Sequence, residues 1–239
     1  MNQYTILIQG PLNIALLESI PNYCKYGNII LSTCHISYSE TEYKILSSIT
    51  NQCKVILYID KEYDCFNTHN IYKQAISTLE GLKECDSEYV IKLRSDEFYE
   101  NLQPVIDKLS TECLVCSDFF YNDGHTLQIS DHIIGGTTSS LLKTFNIVKI
   151  WCECIPKNKK DSYAYGRWFG LDFDPVTESI IFAAYLRSKQ ELPIEANSHL
   201  FRKAYTLPIN RNLLGKYLAI ANCLNKKYTD VNPEGITIC

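Results

Sequence analysis

The sequence predicts an α/β domain with a mostly parallel central sheet flanked by helices. Three observations carry that prediction. Short β-rich runs alternate with helix-length amphipathic runs through the first half of the chain, the order expected of a parallel sheet covered by helices. The second and third β-rich runs are nearly continuous in aliphatic residues, as strands covered on both faces are. The 239 residues show no repeat, low-complexity tract or linker, so one domain, 1–239, is expected, with enough chain to bury a substantial core.

Tyr4 to Gln9 reads as a buried strand, ended by Gly10-Pro11. A helical stretch follows with Ile14, Leu17 and Ile20 inward, disturbed by Pro21. Asn28 to Ser32 is the second strand and Lys54 to Asp60 the third; between them Ser39 to Ile49 reads as a helix capped by its serine. Asn67-Thr68 caps the next helix, where Ile71, Ala75, Leu79 and Leu82 form one stripe. Tyr89 to Leu93 is a fourth strand and Cys113 to Phe119 a fifth, with an amphipathic helix from Asn101 to Leu109 between. Lys143 to Cys154 and Pro175 to Ser188 look helical, the latter with Asp174 as cap and proline at the first position. The tail after Gly215 has room for one more helix.

Composition narrows the function classes. Hydrophobic residues make up 46% and charged residues 21%, ordinary for a globular protein. A formal net charge of -4 argues against nucleic-acid binding, which needs a strongly positive face. Lys157 to Lys160 is the densest basic cluster and reads as a solvated loop. The first residues are too short and unbasic for a signal peptide, and no apolar run is long enough to span a membrane. Eleven cysteines, an odd number in a chain of this size, fit reduced thiols in a cytoplasmic setting better than a disulfide framework. Cys113 with Cys116, and Cys152 with Cys154, invite a zinc reading, but the first pair sits in an apolar, strand-like run.

In such a sheet, ligands bind beyond the carboxyl ends of the strands. That rule singles out Gln9-Gly10-Pro11, Ser32-Thr33, Asp60 and Arg94-Ser95-Asp96-Glu97. The last is the most informative: an aliphatic strand delivers two adjacent carboxylates at its tip. Two neighbouring acids repel, so Arg94, a divalent cation or both should offset them. Mg²⁺ or Mn²⁺ is commonly held by one or two carboxylates plus phosphate oxygens, and would neutralise charge on a leaving nucleoside diphosphate. No G-x-x-x-x-G-K-[ST] phosphate loop, G-x-G-x-x-G fingerprint or G-x-S-x-G elbow is present.

With these residues in place, the sequence resembles the WavE-like lipopolysaccharide-synthesis glycosyltransferases. The resemblance rests on four blocks. These are Ile6 to Leu12, Ile29 to Thr33, the Asn70-Gln74-Ser77-Thr78-Gly81-Leu82 helix leading into Tyr89 to Asp96, and Ile129-Ser130-Asp131-His132 with Gly135-Gly136. It spans residues 4 to 140 well and the remainder loosely. It implies a GT-A type, Rossmann-related domain that moves a sugar from a nucleotide-sugar donor to a glycan or other hydroxyl acceptor, normally with Mn²⁺ or Mg²⁺, in the cytoplasm (the host's, for a viral protein). The acidic motif departs from the family pattern in lacking a first Asp, which leaves Asp96 as the leading metal ligand and Glu97 as the second choice.

Inverting transfer needs a base for the acceptor hydroxyl. Glu178, behind Asp174-Pro175 where similar folds carry a catalytic acid, is the first candidate and Asp131 the second. His199 is a candidate third metal ligand. Gln9, Gly10, Pro11, Thr33, Asn70, Gln74, Arg94 and Ser95 are the expected donor contacts, and Trp168-Phe169 is a candidate acceptor platform. His35, His69, His125 and His132 are assigned only loop or cap positions. Two alternatives stay open: a nucleotidyltransferase, although Gln9 to Asn13 lacks the basic residues a triphosphate loop carries, and a non-catalytic nucleotide-sugar-binding module of the same fold.

Overall fold

In the computed structural model, described for residues 4–35, 38–59, 70–117, 119–122, 126–153, 177–189, 218–220 and 225–227, the aliphatic runs are strands. β1 (Tyr4–Gln9) pairs in parallel with β2 (Asn28–His35) and with β4 (Tyr89–Arg94), and β2 pairs in parallel with β3 (Lys54–Ile59). Beyond β4 the sheet reverses: β9 (Ile133–Thr137) runs antiparallel to β4 and to β6 (Leu114–Cys116), and β10 (Leu218–Ile220) pairs in parallel with β6. The seven-stranded order is β10-β6-β9-β4-β1-β2-β3. The chain is thus an α/β protein with a mixed, mostly parallel sheet flanked by helices. Two small antiparallel pairs stand apart: β5 (Glu97–Tyr99) with β11 (Asn225–Lys227), and β7 (Phe119–Asn122) with β8 (Thr126–Ile129).

Alternate residues of the central strands feed two cores. Leu7, Ile30, Val90 and Ile134 meet α3 (Ile71–Leu82), α5 (Thr138–Glu153) and α6 (Thr177–Ser188) on one face. Ile6, Ile8, Leu31, Ile91, Leu93 and Ile133 meet α1 (Leu16–Tyr23), α2 (Glu40–Ile49) and α4 (Gln103–Ile106) on the other. Burial on both faces is why these strands carry no polar alternation. Helix α3 packs close against the sheet at Gly81. A Cβ at Gly81 would stand 2.3 Å from Leu7 Cδ1, and the Ser32 and Ser77 hydroxyls donate to each other's carbonyls at 2.7 and 3.1 Å.

Helix α2 forms as its sequence demands. Ser39 accepts from the Glu42 amide and the Glu42 carboxylate accepts from the Ser39 amide, a complete capping box worth about 1 kcal/mol. Elsewhere the elements differ from expectation. Leu17 is 40% exposed because α1 starts only at Leu16, so its inward stripe is Leu16, Ile20 and Tyr23. The expected helix 101–109 contracts to α4 and single turns, since Pro104 at its start leaves few residues to propagate it. The expected fifth strand splits into β6 and β7. Helix α5 begins at Thr138, five residues early, where the Thr137 hydroxyl accepts from the Ser140 amide. The described part of the tail forms β10 and β11 instead of a helix. Asp60, Asn67-Thr68, Lys157 to Lys160, Trp168-Phe169, Asp174-Pro175 and His199 lie outside the described residues.

The seven described cysteines form no disulfide. Burial pushes Cys53 up to about 11 and Cys85 up to about 12, which keeps both protonated and unreactive near neutral pH.

Candidate active site at the strand ends

Parallel strands β1, β2 and β4 end at one edge of the sheet, and the antiparallel β9 starts there. Register places Gln9 beside Ser32 and Arg94, and Leu93 beside Ile133, with the Arg94 amide donating to the His132 carbonyl at 3.3 Å. Residues from four strands therefore converge through backbone pairing alone. Helix α3 enters at the same edge and carries Gln74 in its second turn. Asn70, just before it, is left-handed at φ 58, a conformation asparagine tolerates.

Gly10 makes the first turn possible. Its φ is +134, and a Cβ there would meet Ser95 Oγ at 2.4 Å. Its amide donates to the Ser32 carbonyl, while the Ser95 amide donates to the Gln9 carbonyl, so the β1 and β4 tips are locked together. Pro11 is exposed. Thr33 and Ser95 are buried with hydroxyls that make no hydrogen bond.

Arg94 grips Asp96 with two hydrogen bonds, Nε to Oδ1 at 2.9 Å and Nη2 to Oδ2 at 2.8 Å. That bidentate pair raises the guanidinium above its already high pKa. Both side chains keep partial access to solvent, 31% and 24%. Glu97 turns the other way and is fully buried: its Oε1 meets His132 Nδ1 and its Oε2 accepts from the Tyr99 hydroxyl at 2.9 Å. The Tyr99 amide in turn donates to the Tyr23 hydroxyl at 2.8 Å. Burial pushes Glu97 up, but His132, Tyr99 and Arg94 outweigh it and hold its pKa below the ordinary value. The two neighbouring acids thus point apart, Asp96 toward Arg94 and Glu97 toward His132 and Tyr99.

Asp131 is the convergence point. Its Oδ2 accepts from Gln74 Nε2 at 2.8 Å and stands 4.0 Å from Arg94 Nη1. Its backbone carbonyl accepts from Lys92 Nζ at 2.6 Å. Its Oδ1 is buried without a hydrogen bond, 3.7 Å from His132 Nε2. Burial pushes Asp131 up, yet Lys92, His132, Arg94 and Gln74 together bring it below the ordinary aspartate value. Lys92 is itself wholly buried, and that burial lowers it to about 8 against the pull of Asp131.

The structure therefore brings together Gln9, Gly10, Thr33, Gln74, Arg94, Ser95, Asp96, Glu97 and Asp131. Glu178 stands in the first turn of α6, with its side chain outside the described residues, as is His199. Sequence reasoning missed Lys92, which was hidden inside an aliphatic strand, and His132. The available signal for His132 was an acid–histidine pair immediately ahead of Ile133-Ile134: read as an antiparallel strand, that run returns the pair to the β4 tip. Among the described residues, no group of three or more His, Cys, Asp or Glu side chains is spaced to hold a metal ion. Compared with protein-family models and with curated proteins, the chain matches none.

Proposed function

We propose that this chain is a GT-A type glycosyltransferase that moves a sugar from a nucleotide-sugar donor to a glycan or other hydroxylated acceptor. One observation carries the reading: the central strand tip and its antiparallel neighbour set Arg94, Asp96, Asp131 and His132 at a single edge, where an α/β sheet binds its ligands. Arg94 supplies a partly exposed guanidinium suited to a diphosphate, whose geometry it matches in a fork. Asn70 and Gln74 approach from α3, and Gln9, Gly10, Pro11, Thr33 and Ser95 form the floor of the strand tips. Glu178 takes the acceptor's proton, with Asp131 as the alternative carboxylate. Among the described residues no helix is long and apolar enough to cross a membrane, which is compatible with work in the cytoplasm.

A divalent cation, Mn²⁺ or Mg²⁺, would supply charge neutralisation on the departing diphosphate. Asp96 is the expected ligand that solvent reaches, but both its oxygens already hold Arg94. Glu97 is engaged by His132 and Tyr99. A cation at Asp96 would require Arg94 to let go.

The test is incubation with a panel of nucleotide sugars, with and without Mn²⁺, reading released nucleotide and, by calorimetry, donor binding. Turnover supports the reading. Binding without turnover identifies the non-catalytic module instead, and the absence of both overturns the proposal.

A further inference from the structure

We infer that the strand-tip acids hold no divalent cation in this chain, and that Arg94, oriented by Asp96, takes the cation's place against the diphosphate of the donor. The inference takes its substrate from the sugar-transfer reading and departs from that reading's Mn²⁺ or Mg²⁺. It starts from what the two acids already hold. Arg94 Nε and Nη2 donate to Asp96 Oδ1 and Oδ2 at 2.9 and 2.8 Å, so a planar fork engages both carboxylate oxygens. A cation bonded to either oxygen at about 2.1 Å would stand within a few ångströms of the guanidinium. Two positive groups would then repel each other across one shared carboxylate. Glu97 offers no substitute. Its side chain is fully buried and faces away, with Oε1 on His132 Nδ1 and Oε2 accepting from the Tyr99 hydroxyl.

Charge agrees with geometry. Around Arg94, the carboxylates of Asp96 and Asp131 are matched by the guanidinium and by the Lys92 ammonium. These four groups leave no negative surplus to draw a dication.

The donors that Arg94 has left point to an anion instead. Asp96 takes one edge of the guanidinium, Nε with Nη2. Nη1 lies 4.0 Å from Asp131 Oδ2, beyond hydrogen-bond reach, so the Nη1–Nη2 edge still has N–H groups to give. Two parallel N–H groups are the arrangement that grips two oxygens of a phosphate. The side chain is 31% exposed, which lets a ligand reach it, and Gln9 stands beside it in register on β1. The pair with Asp96 holds that edge in place before the ligand arrives, and donors fixed in advance are the ones that stabilise developing charge. In transfer, the bond from the anomeric carbon to the diphosphate oxygen breaks with its electron pair left on the diphosphate. The acceptor oxygen bonds to that carbon, and its proton passes to Glu178. Arg94 donates to the diphosphate oxygens as their charge grows.

The experiment is titration calorimetry of the protein with inorganic pyrophosphate in EDTA, and separately with Mn²⁺ alone. Pyrophosphate should bind in EDTA, at least about tenfold more weakly to Arg94→Ala. Arg94→Lys, which keeps the charge and loses the fork, should also bind more weakly, with the far-ultraviolet spectrum of the parent. With any donor that turns over, nucleotide release in EDTA should stay within about threefold of release in Mn²⁺, and the deficit of Asp96→Ala should be the same in both. Pyrophosphate binding that is absent in EDTA, or unchanged in both Arg94 variants, overturns the proposal even where Mn²⁺ supports transfer. So does Mn²⁺ binding that Asp96→Ala removes, or an Asp96→Ala deficit that added Mn²⁺ repairs. Metal-free binding lost in the Arg94 variants upholds it even where no donor turns over, and sugar transfer alone then fails.

Discussion

Replacing Gly10 by alanine tests how the strand tips are held. At φ +134 a residue with a Cβ is strained, at a cost of about 1–3 kcal/mol. The new methyl would also stand 2.4 Å from Ser95 Oγ and 3.3 Å from Ser95 Cβ, and overpacking of this kind costs about 1–3 kcal/mol more. Gly10→Ala should therefore destabilise the fold by about 3 kcal/mol. Ser95→Ala alone should be near neutral, within about 0.5 kcal/mol, because the buried hydroxyl makes no hydrogen bond to lose. In the double variant the Oγ clash is gone but the backbone strain stays, so the two changes should couple favourably by about 1 kcal/mol. Urea unfolding of the four proteins gives all three numbers. A Gly10→Ala cost below about 1 kcal/mol, or strict additivity in the double variant, would refute the reasoning.

Other consequences follow from the same contacts. Ser39→Ala should lower stability by about 1 kcal/mol by opening the capping box at α2, read as a shift in urea midpoint with an unchanged slope. Glu97 and Asp131 both have folded pKa values below their ordinary ones, so the folded state binds fewer protons in acid than the unfolded chain. Their stabilisation is complete above the carboxylate range and is lost as the pH falls through the folded values. Glu97→Gln should accordingly flatten the decline of unfolding free energy between about pH 7 and about pH 3. Asp96→Ala should change stability by no more than about 1 kcal/mol, since its pair with Arg94 is partly solvated. Its transfer rate should fall on the order of a hundredfold, compared by nucleotide release.

The four parallel strands were legible as continuous aliphatic runs, although β3, last in the sheet order, exposes Leu57 and Ile59 where burial on both faces was expected, and Ser39 with Glu42 announced α2 directly. β9 was not, because Gly135-Gly136 reads as a loop. The structure gives the physical reason for that choice: a Cβ at Gly135 would come within 2.8 Å of Leu109 Cδ2 and 3.1 Å of Val105 Cγ1. The glycine lets the α4 region pack on the strand, and its β-propensity is low for the same lack of a side chain. Strands of three residues, such as β5, β6 and β11, are too short to display a period. Missing β9 had a direct consequence for the site. Asp131 was recognised from its block, but His132 needs the strand direction before its ring can be brought to Glu97. Lys92 was masked likewise: nothing in Val90-Ile91-Lys92-Leu93 indicates that the lysine stays inside, and the Asp131 carbonyl that accepts from it, with the Asp131 carboxylate close by, accounts for that burial.

The most direct test of sugar transfer at this edge is nucleoside diphosphate release from a panel of nucleotide sugars in the presence of Mn²⁺, wild type against Asp131→Asn. The substitution is nearly isosteric and removes the charge at the point where Gln74, Lys92, Arg94 and His132 converge. The account predicts release by the wild type with at least one donor, and a loss on the order of a hundredfold or more in a variant that unfolds as a native protein does. A wild-type protein that neither binds nor turns over any donor, or an Asp131→Asn protein with undiminished turnover, would contradict it.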